Sequence, residues 1–146
     1  MKAAKPYRLP AILFMGMLAC SNSENTIIDA DLLDVVWRVD SLQTPDTNMV
    51  ADSTDYLHIR FDETFEVTGS DGCTSFWAKY SIQENGRIKI YEIGIPHIEL
   101  PCSTQTKLMA NTYRDILEDI EPYSIEGGIL ILSSLDRGRF VFYTAE

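Results

Sequence analysis

A chain of 146 residues with 45 % hydrophobic and 23 % charged side chains has room for one folded domain and is unlike a disordered polymer. The formal net charge is −10; residues 1–19 hold Lys2, Lys5 and Arg8 and no acid, which leaves the remainder with 22 acids against 9 bases, a formal −13. Such a surface repels phosphate backbones and anionic headgroups, so nucleic acid is excluded as a partner and any membrane attachment has to be covalent.

The chain begins with a short basic segment, and residues 9–19 are apolar apart from Pro10 and Gly16. Those eleven residues are too few to cross a bilayer core as a helix, which takes about 20. A basic head, a short apolar body and a small residue before a cut describe a secretory signal. The body ends in Met17-Leu18-Ala19-Cys20, which resembles the lipobox of bacterial lipoproteins, with Met17 where leucine is commoner. That resemblance implies a signal peptide over residues 1–19 and a lipidated (palmitate-bearing) Cys20 as the first mature residue. It also implies a place in the cell envelope, at the outer membrane facing the periplasm. Two or more acyl chains anchor firmly where one is marginal, because each buried CH₂ contributes ~0.8 kcal/mol. The competing reading is an ordinary signal peptide with a chance cysteine. Residues 21–26 are small and polar, so residues 20–30 read as a lipidated, flexible tether ahead of a domain over 31–146.

Within that domain, Leu33, Val35, Trp37 and Val39 fall on one face of an alternating run and predict a first strand. Residues 43–54 are polar, contain Pro45, and read as a surface loop. Residues 56–61 alternate again and, with residues 64–68 after Asp62-Glu63, predict a hairpin. Residues 69–72 (Gly-Ser-Asp-Gly) are expected to break the pattern. Phe76, Ala78, Tyr80 and Ile82 share a face of the next strand, which returns through Glu84-Asn85-Gly86 into residues 87–91. Residues 93–100 are a weaker extended stretch. From Ser103 the period becomes helical, with Leu108, Met109, Tyr113, Ile116, Leu117 and Ile120 on one stripe, Ser103 or Thr104 as cap and Pro122 past the stop. Residues 123–126, 129–133 and 139–143 close the chain as strands separated by Gly127-Gly128 and Asp136-Arg137-Gly138. The expected fold is mostly β with one helix: a curved antiparallel sheet, or partly closed barrel, of eight or nine short strands packed on a single α-helix.

Of three cysteines, Cys20 is assigned to lipid, leaving Cys73 and Cys102. Export would place them where disulfides persist, and a bridge would close a loop whose chain-entropy contribution is ~3.6 kcal/mol. The alternative is two buried thiols acting as small apolar groups.

Several features occur in a fixed order. A Trp37-bearing strand comes first. A hairpin then ends at Gly69 and is followed by Gly72-Cys73-Thr74-Ser75-Phe76. Pro101-Cys102 precedes the helix, and Tyr123 with Gly127-Gly128 follows it. Together they resemble the META domain family, whose members include HslJ-like proteins, although Thr74 stands where that family usually has Asn. The resemblance implies a β-rich envelope or secreted domain, linked to stress or motility, of a family with no established catalytic mechanism. Trp37, Gly69, Gly72, Cys73, Phe76, Tyr123 and Gly127 are then marks of the fold, with Gly72 making a sharp turn that aims Cys73 inward.

No catalytic, metal or cofactor motif is found. His58, between Leu57 and Ile59, is expected to face solvent, and His97 lies in a connection. Asp29, Asp31 and Asp34 lack the glycine and distant glutamate of a calcium loop. Trp37 is expected in the core, whereas Trp77 shares a face with Lys79 and Ser81 and is a candidate surface contact. The reading is of a non-enzymatic, lipid-anchored envelope protein that works through an envelope protein partner. The alternative is a lipocalin-like carrier with an apolar ligand inside the barrel. A filled interior, with the helix, Phe65, Phe76, Tyr80 and Phe142 inside it, separates the two.

Overall fold

The computed structural model describes residues 28–83, 86–97 and 100–146. Residues 1–19, Cys20 and the tether as far as residue 27 lie outside the described residues, as do Glu84 and Asn85 of the expected turn. The elements in chain order are β1 (Trp37–Gln43), β2 (Asn48–Val50), β3 (Leu57–Phe61), β4 (Glu66–Asp71), β5 (Ser75–Gln83), β6 (Arg87–Gly94), α1 (Thr104–Glu118), β7 (Tyr123–Glu126), β8 (Ile129–Ser134) and β9 (Arg139–Ala145). The strands form one antiparallel sheet in the order β6-β5-β4-β3-β1-β9-β8-β7, with β2 paired to the far end of β1. The sheet curls into a half-barrel. Its two edges meet at one end, where Ile88 N donates to Glu121 O and Tyr123 N donates to Gly86 O.

The helix follows from a cap and a stripe. Ser103 Oγ accepts the amide of Thr106 at 3.1 Å, which satisfies one of the orphan donors of the first turn. Thr106, Met109, Ala110, Tyr113, Ile116 and Leu117 are buried along one side of α1, against the concave face formed by β4, β6 and β9. Leu108, expected on that stripe, is instead 58 % exposed, because one residue before Met109 places it 100° off the buried side. The core is closed by Trp37, Phe61, Tyr80, Tyr113, Tyr143 and the aliphatic side chains around them, so the half-barrel is filled from within. Tyr143 Oη donates to Tyr113 Oη at 3.1 Å in the middle of it. Burial pushes both phenols up from their ordinary value.

The first strand starts later than alternation predicts. Asp34 has φ 56°, a left-handed turn that takes Leu33 and Val35 out of the strand. Within β1 the register against β9 shifts between Val39 and Ser41, so Asp40 is an extra residue. That bulge reverses the parity, and Leu42 rather than Ser41 is buried after Trp37 and Val39. The segment 43–54 is not wholly loop: residues 48–50 fold back on β1 as β2. Strand β4 continues through Gly69 and Ser70 to Asp71, and the break falls at Gly72.

Phe65, expected inside, has φ 65° in the β3–β4 turn and is 38 % exposed. Phe142 lies on the outer face of β9, half-buried and stacked with Phe140. At the β7–β8 turn Gly127 and Gly128 have φ 57° and 76°, the two left-handed residues that a tight hairpin with matching twist requires.

Candidate functional site

The Gly72 signature builds one end of the molecule. Asp71 is 1 % exposed, and its Oδ1 accepts the amides of Cys73 at 2.8 Å and Thr74 at 2.7 Å. This aspartate-led turn needs its next residue to cross to positive φ, and Gly72 does so at 91°. A side chain on Gly72 would also crowd Leu57 and Thr106. The turn presents Cys73, half-buried, to Cys102, and the two sulfurs are bonded. The bridge ties the end of β4 to the segment that enters α1.

Between these two segments and α1 lies a cleft of about 380 Å³. Ile95, Pro96, Leu100, Pro101 and the disulfide make its apolar wall; Lys107, Asn111 and Arg114 line it from the helix. Spacing i, i+4, i+7 puts those three polar residues on one side of α1. Arg114 is held from behind. Its Nη2 donates to Asn111 Oδ1 at 2.6 Å, and its Nε stands 3.4 Å from Asp71 Oδ2. The second contact is an ion pair without a hydrogen bond, so the buried Oδ2 has no hydrogen-bond donor among the described residues. The Arg114 side chain is 26 % exposed, leaving part of the guanidinium open to the cleft.

The other marked residues fall as follows. Trp37 is core, and its indole N–H donates to Leu32 O at 3.2 Å. Gly69 sits where β3 and the Phe76 ring approach its backbone; Phe76 is buried against Tyr113. Tyr123 starts β7 at the closure of the half-barrel, and burial pushes its phenol up. Trp77 is 54 % exposed on β5 and its indole covers Gly94, the residue before the Ile95 wall of the cleft. A register shift between Trp77 and Lys79 places an extra residue on β6, where Glu92 has φ 54° and takes Lys79 at 2.7 Å. Cys20 lies outside the described residues.

His58 departs from expectation. It is half-buried beneath Tyr56, with ring centroids 4.6 Å apart, and its Nδ1 is buried with no hydrogen-bond partner among the described residues. Tyr56 Oη donates to Glu146 Oε2 at 2.7 Å, and that bond raises the phenol pKa. His97 is exposed. Asp34 pairs with Arg60 at 2.7 Å and Asp29 Oδ1 accepts the Asp31 amide, so these acids serve turns. Among the described residues no three His, Cys, Asp or Glu side chains are grouped to hold a metal ion. Likewise, no described helix is long and apolar enough to cross a membrane.

The sequence reading missed Asp71 and the helix stripe. The signal was present in Ser70-Asp71-Gly72-Cys73, a turn-forming run with an acceptor in front of glycine, and in the spacing of Lys107, Asn111 and Arg114.

The META domain family model matches residues 30–146, most of the chain. The chain belongs to the META domain family. Solved structures share the fold. An NMR structure of a protein from Burkholderia xenovorans has 19 % identity and a TM-score of 0.66, covering 86 % of this chain and 96 % of that one. A second NMR structure has 16 % identity and a TM-score of 0.59, covering 81 % and 95 %. A crystal structure of a DUF4847 family protein from Bacteroides vulgatus has 11 % identity and a TM-score of 0.56, covering 77 % and 93 %. At these identities the likeness is one of fold alone. No curated protein matches this chain in sequence. What the META domain contributes here is therefore a scaffold: a filled half-barrel whose signature turn and disulfide fix the walls of a surface cleft.

Proposed function

We propose that this chain is a non-enzymatic, lipid-anchored protein of the cell envelope whose META domain is an accessory module that binds another envelope protein through its surface. The observation that carries this reading is the distribution of apolar side chains. The concave side of the sheet is packed solid around Tyr113 and Tyr143, while Trp77, Ile95 and Leu100 stand 54 %, 40 % and 57 % exposed at one end. A carrier of the lipocalin kind needs the opposite arrangement, with an interior lined but unfilled. Exposed apolar groups gathered at one end of a domain are the usual material of a contact surface.

The anchor is supported by Met17-Leu18-Ala19-Cys20. Two measurements test the reading. Labelled palmitate should appear on the purified protein and vanish in Cys20→Ala, which should no longer sediment with membranes. A photo-crosslinking residue in place of Trp77 should capture a discrete envelope protein, whereas one in place of Ile129, on the outer face of β8, should not. Equal capture from both positions, or from neither, sinks the interaction reading.

A further inference from the structure

We infer that the cleft between the Cys73–Cys102 bridge and α1 takes the carboxyl terminus of a partner polypeptide ending in an apolar residue. This rests on the surface-binding reading above and names the ligand of that surface. The cleft combines two chemistries in one place. Ile95, Leu100 and Pro101 offer an apolar wall on the loop side; Arg114 and Lys107 offer positive charge on the helix side. Leu100 and Pro101 adjoin Cys102, which the disulfide ties to the Asp71 turn behind Arg114, so this part of the wall is fixed relative to the guanidinium without a ligand.

Arg114 is the orienting group. A buried carboxylate pairs with its Nε side and a side-chain amide oxygen takes one Nη2 hydrogen, which restrains the plane of a guanidinium that lines the cleft and stays partly exposed. A planar donor fork held in that way suits a carboxylate better than a point charge does. The chain as a whole is acidic, at −10, and would repel an anion at long range. At physiological salt that field decays over about 8 Å, so a ligand within the cleft is governed by the local charges, Lys107 and Arg114 against the one carboxylate of Asp71 that lies behind Arg114. Cleft size decides the rest: about 380 Å³ accommodates a terminal residue and its neighbour rather than a folded surface. A peptide terminus presents the carboxylate and an adjacent apolar side chain at fixed separation, and further residues can run out over Trp77.

The test uses the full chain at a fixed concentration of zwitterionic detergent and three probes. These are a hexapeptide ending in Ile-Leu with a free carboxylate, the same peptide amidated, and N-acetyl-leucine. Titration calorimetry should show the free acid binding and the amide weaker by about 10-fold or more, the loss expected for one charge-assisted hydrogen bond. Arg114→Gln should abolish the preference for the acid. Because that variant strips Asp71 of its ion pair, Leu100→Asp, at an exposed loop position, is the second probe and should weaken the free acid by a similar factor. Far-UV circular dichroism and urea midpoints verify that both variants are folded. Equal binding of acid and amide, or an undiminished preference in folded Arg114→Gln, overturns the inference. So does N-acetyl-leucine binding as tightly as the peptide, which would make the site one for small acids. Should those results coincide with discrete crosslinks from position 77, the carboxyl-terminus inference alone fails; should the crosslinks be missing as well, the surface reading falls with it.

Discussion

Tyr143 and Tyr113 share one hydrogen bond, hydroxyl to hydroxyl at 3.1 Å, with both rings fully buried between the sheet and the helix. Each hydroxyl depends on the other among the described residues. Tyr113→Phe or Tyr143→Phe alone leaves a buried hydroxyl unpaired, at a cost of about 1–3 kcal/mol. Removing both hydroxyls removes the unpaired group as well. The double variant is therefore expected to be less destabilised than the sum of the two singles, by at least ~1 kcal/mol in urea unfolding. Strict additivity would show that the pair is not coupled.

Gly69 and Gly94 carry opposite kinds of crowding. A Cβ on Gly69 would lie 2.4 Å from the His58 carbonyl oxygen and 2.6 Å from Phe76 Cζ, both inside the sheet and unable to yield. A Cβ on Gly94 would lie 2.3 Å from Trp77 Cε2, an atom of an exposed side chain that can swing away. Gly69→Ala is expected to cost about 3 kcal/mol or more, whereas Gly94→Ala should cost ~1 kcal/mol. Gly94→Ala should also red-shift tryptophan emission as the indole leaves its platform, with Trp37 unaffected in the core. A larger loss of stability in Gly94→Ala than in Gly69→Ala would contradict this packing.

The Cys73–Cys102 bridge spans a sequence separation of 29 and encloses β5, β6 and the approach to α1. Constraining a loop of that size in the unfolded chain stabilises the fold by about 3.6 kcal/mol as an upper figure. The paired Cys73→Ala, Cys102→Ala variant is expected to melt roughly 10 °C lower and to remain folded, because the main core lies away from the bridge. Calorimetry gives the shift. A change of a degree or less would mean that the unfolded chain is already held compact there.

What could be read from the sequence and what could not divides along a physical line. Phe76, Ala78 and Tyr80 on one face, and Met109, Tyr113, Ile116 and Leu117 on one stripe, announce themselves because their partners repeat at a fixed local period. The start of β1 was not legible: Asp34 and Asp40 each reverse the local geometry, one by a left-handed turn and one by a bulge, and neither is marked by glycine. The cleft was legible only in part. Gly72 and Cys73 stand out by residue type, but Asp71 acts through Arg114, far along the chain, and a polar helix stripe looks the same whether it faces water or a site. Trp77 was legible as an outward residue; that it lies on Gly94 depends on the cross-strand register of β5 and β6, which no local pattern specifies.

His58 links stability to pH. Its imidazole faces Tyr56, just before β3, and neighbours Arg38 across on β1 and Ser70 across on β4, with Glu146 bonded to Tyr56 above it. Burial pushes its pKa below the ordinary 6.5; the Tyr56 backbone and the Glu146 charge act the other way and do not overcome it. The unfolded chain thus takes up this proton at a higher pH than the folded one. The stabilisation is complete above about pH 6.5 and is lost as pH falls through the folded value, since protonation then favours the unfolded state. The urea midpoint should decline from pH 7.5 toward pH 5, and His58→Gln should flatten that decline. Asp62 moves the other way from burial: its partial burial raises its pKa, but bonds from Thr64 and Glu66 outweigh that and hold it below 3.8, beneath the His58 window. A midpoint that rises on acidification, or an equal decline in His58→Gln, would assign the pH response to another group.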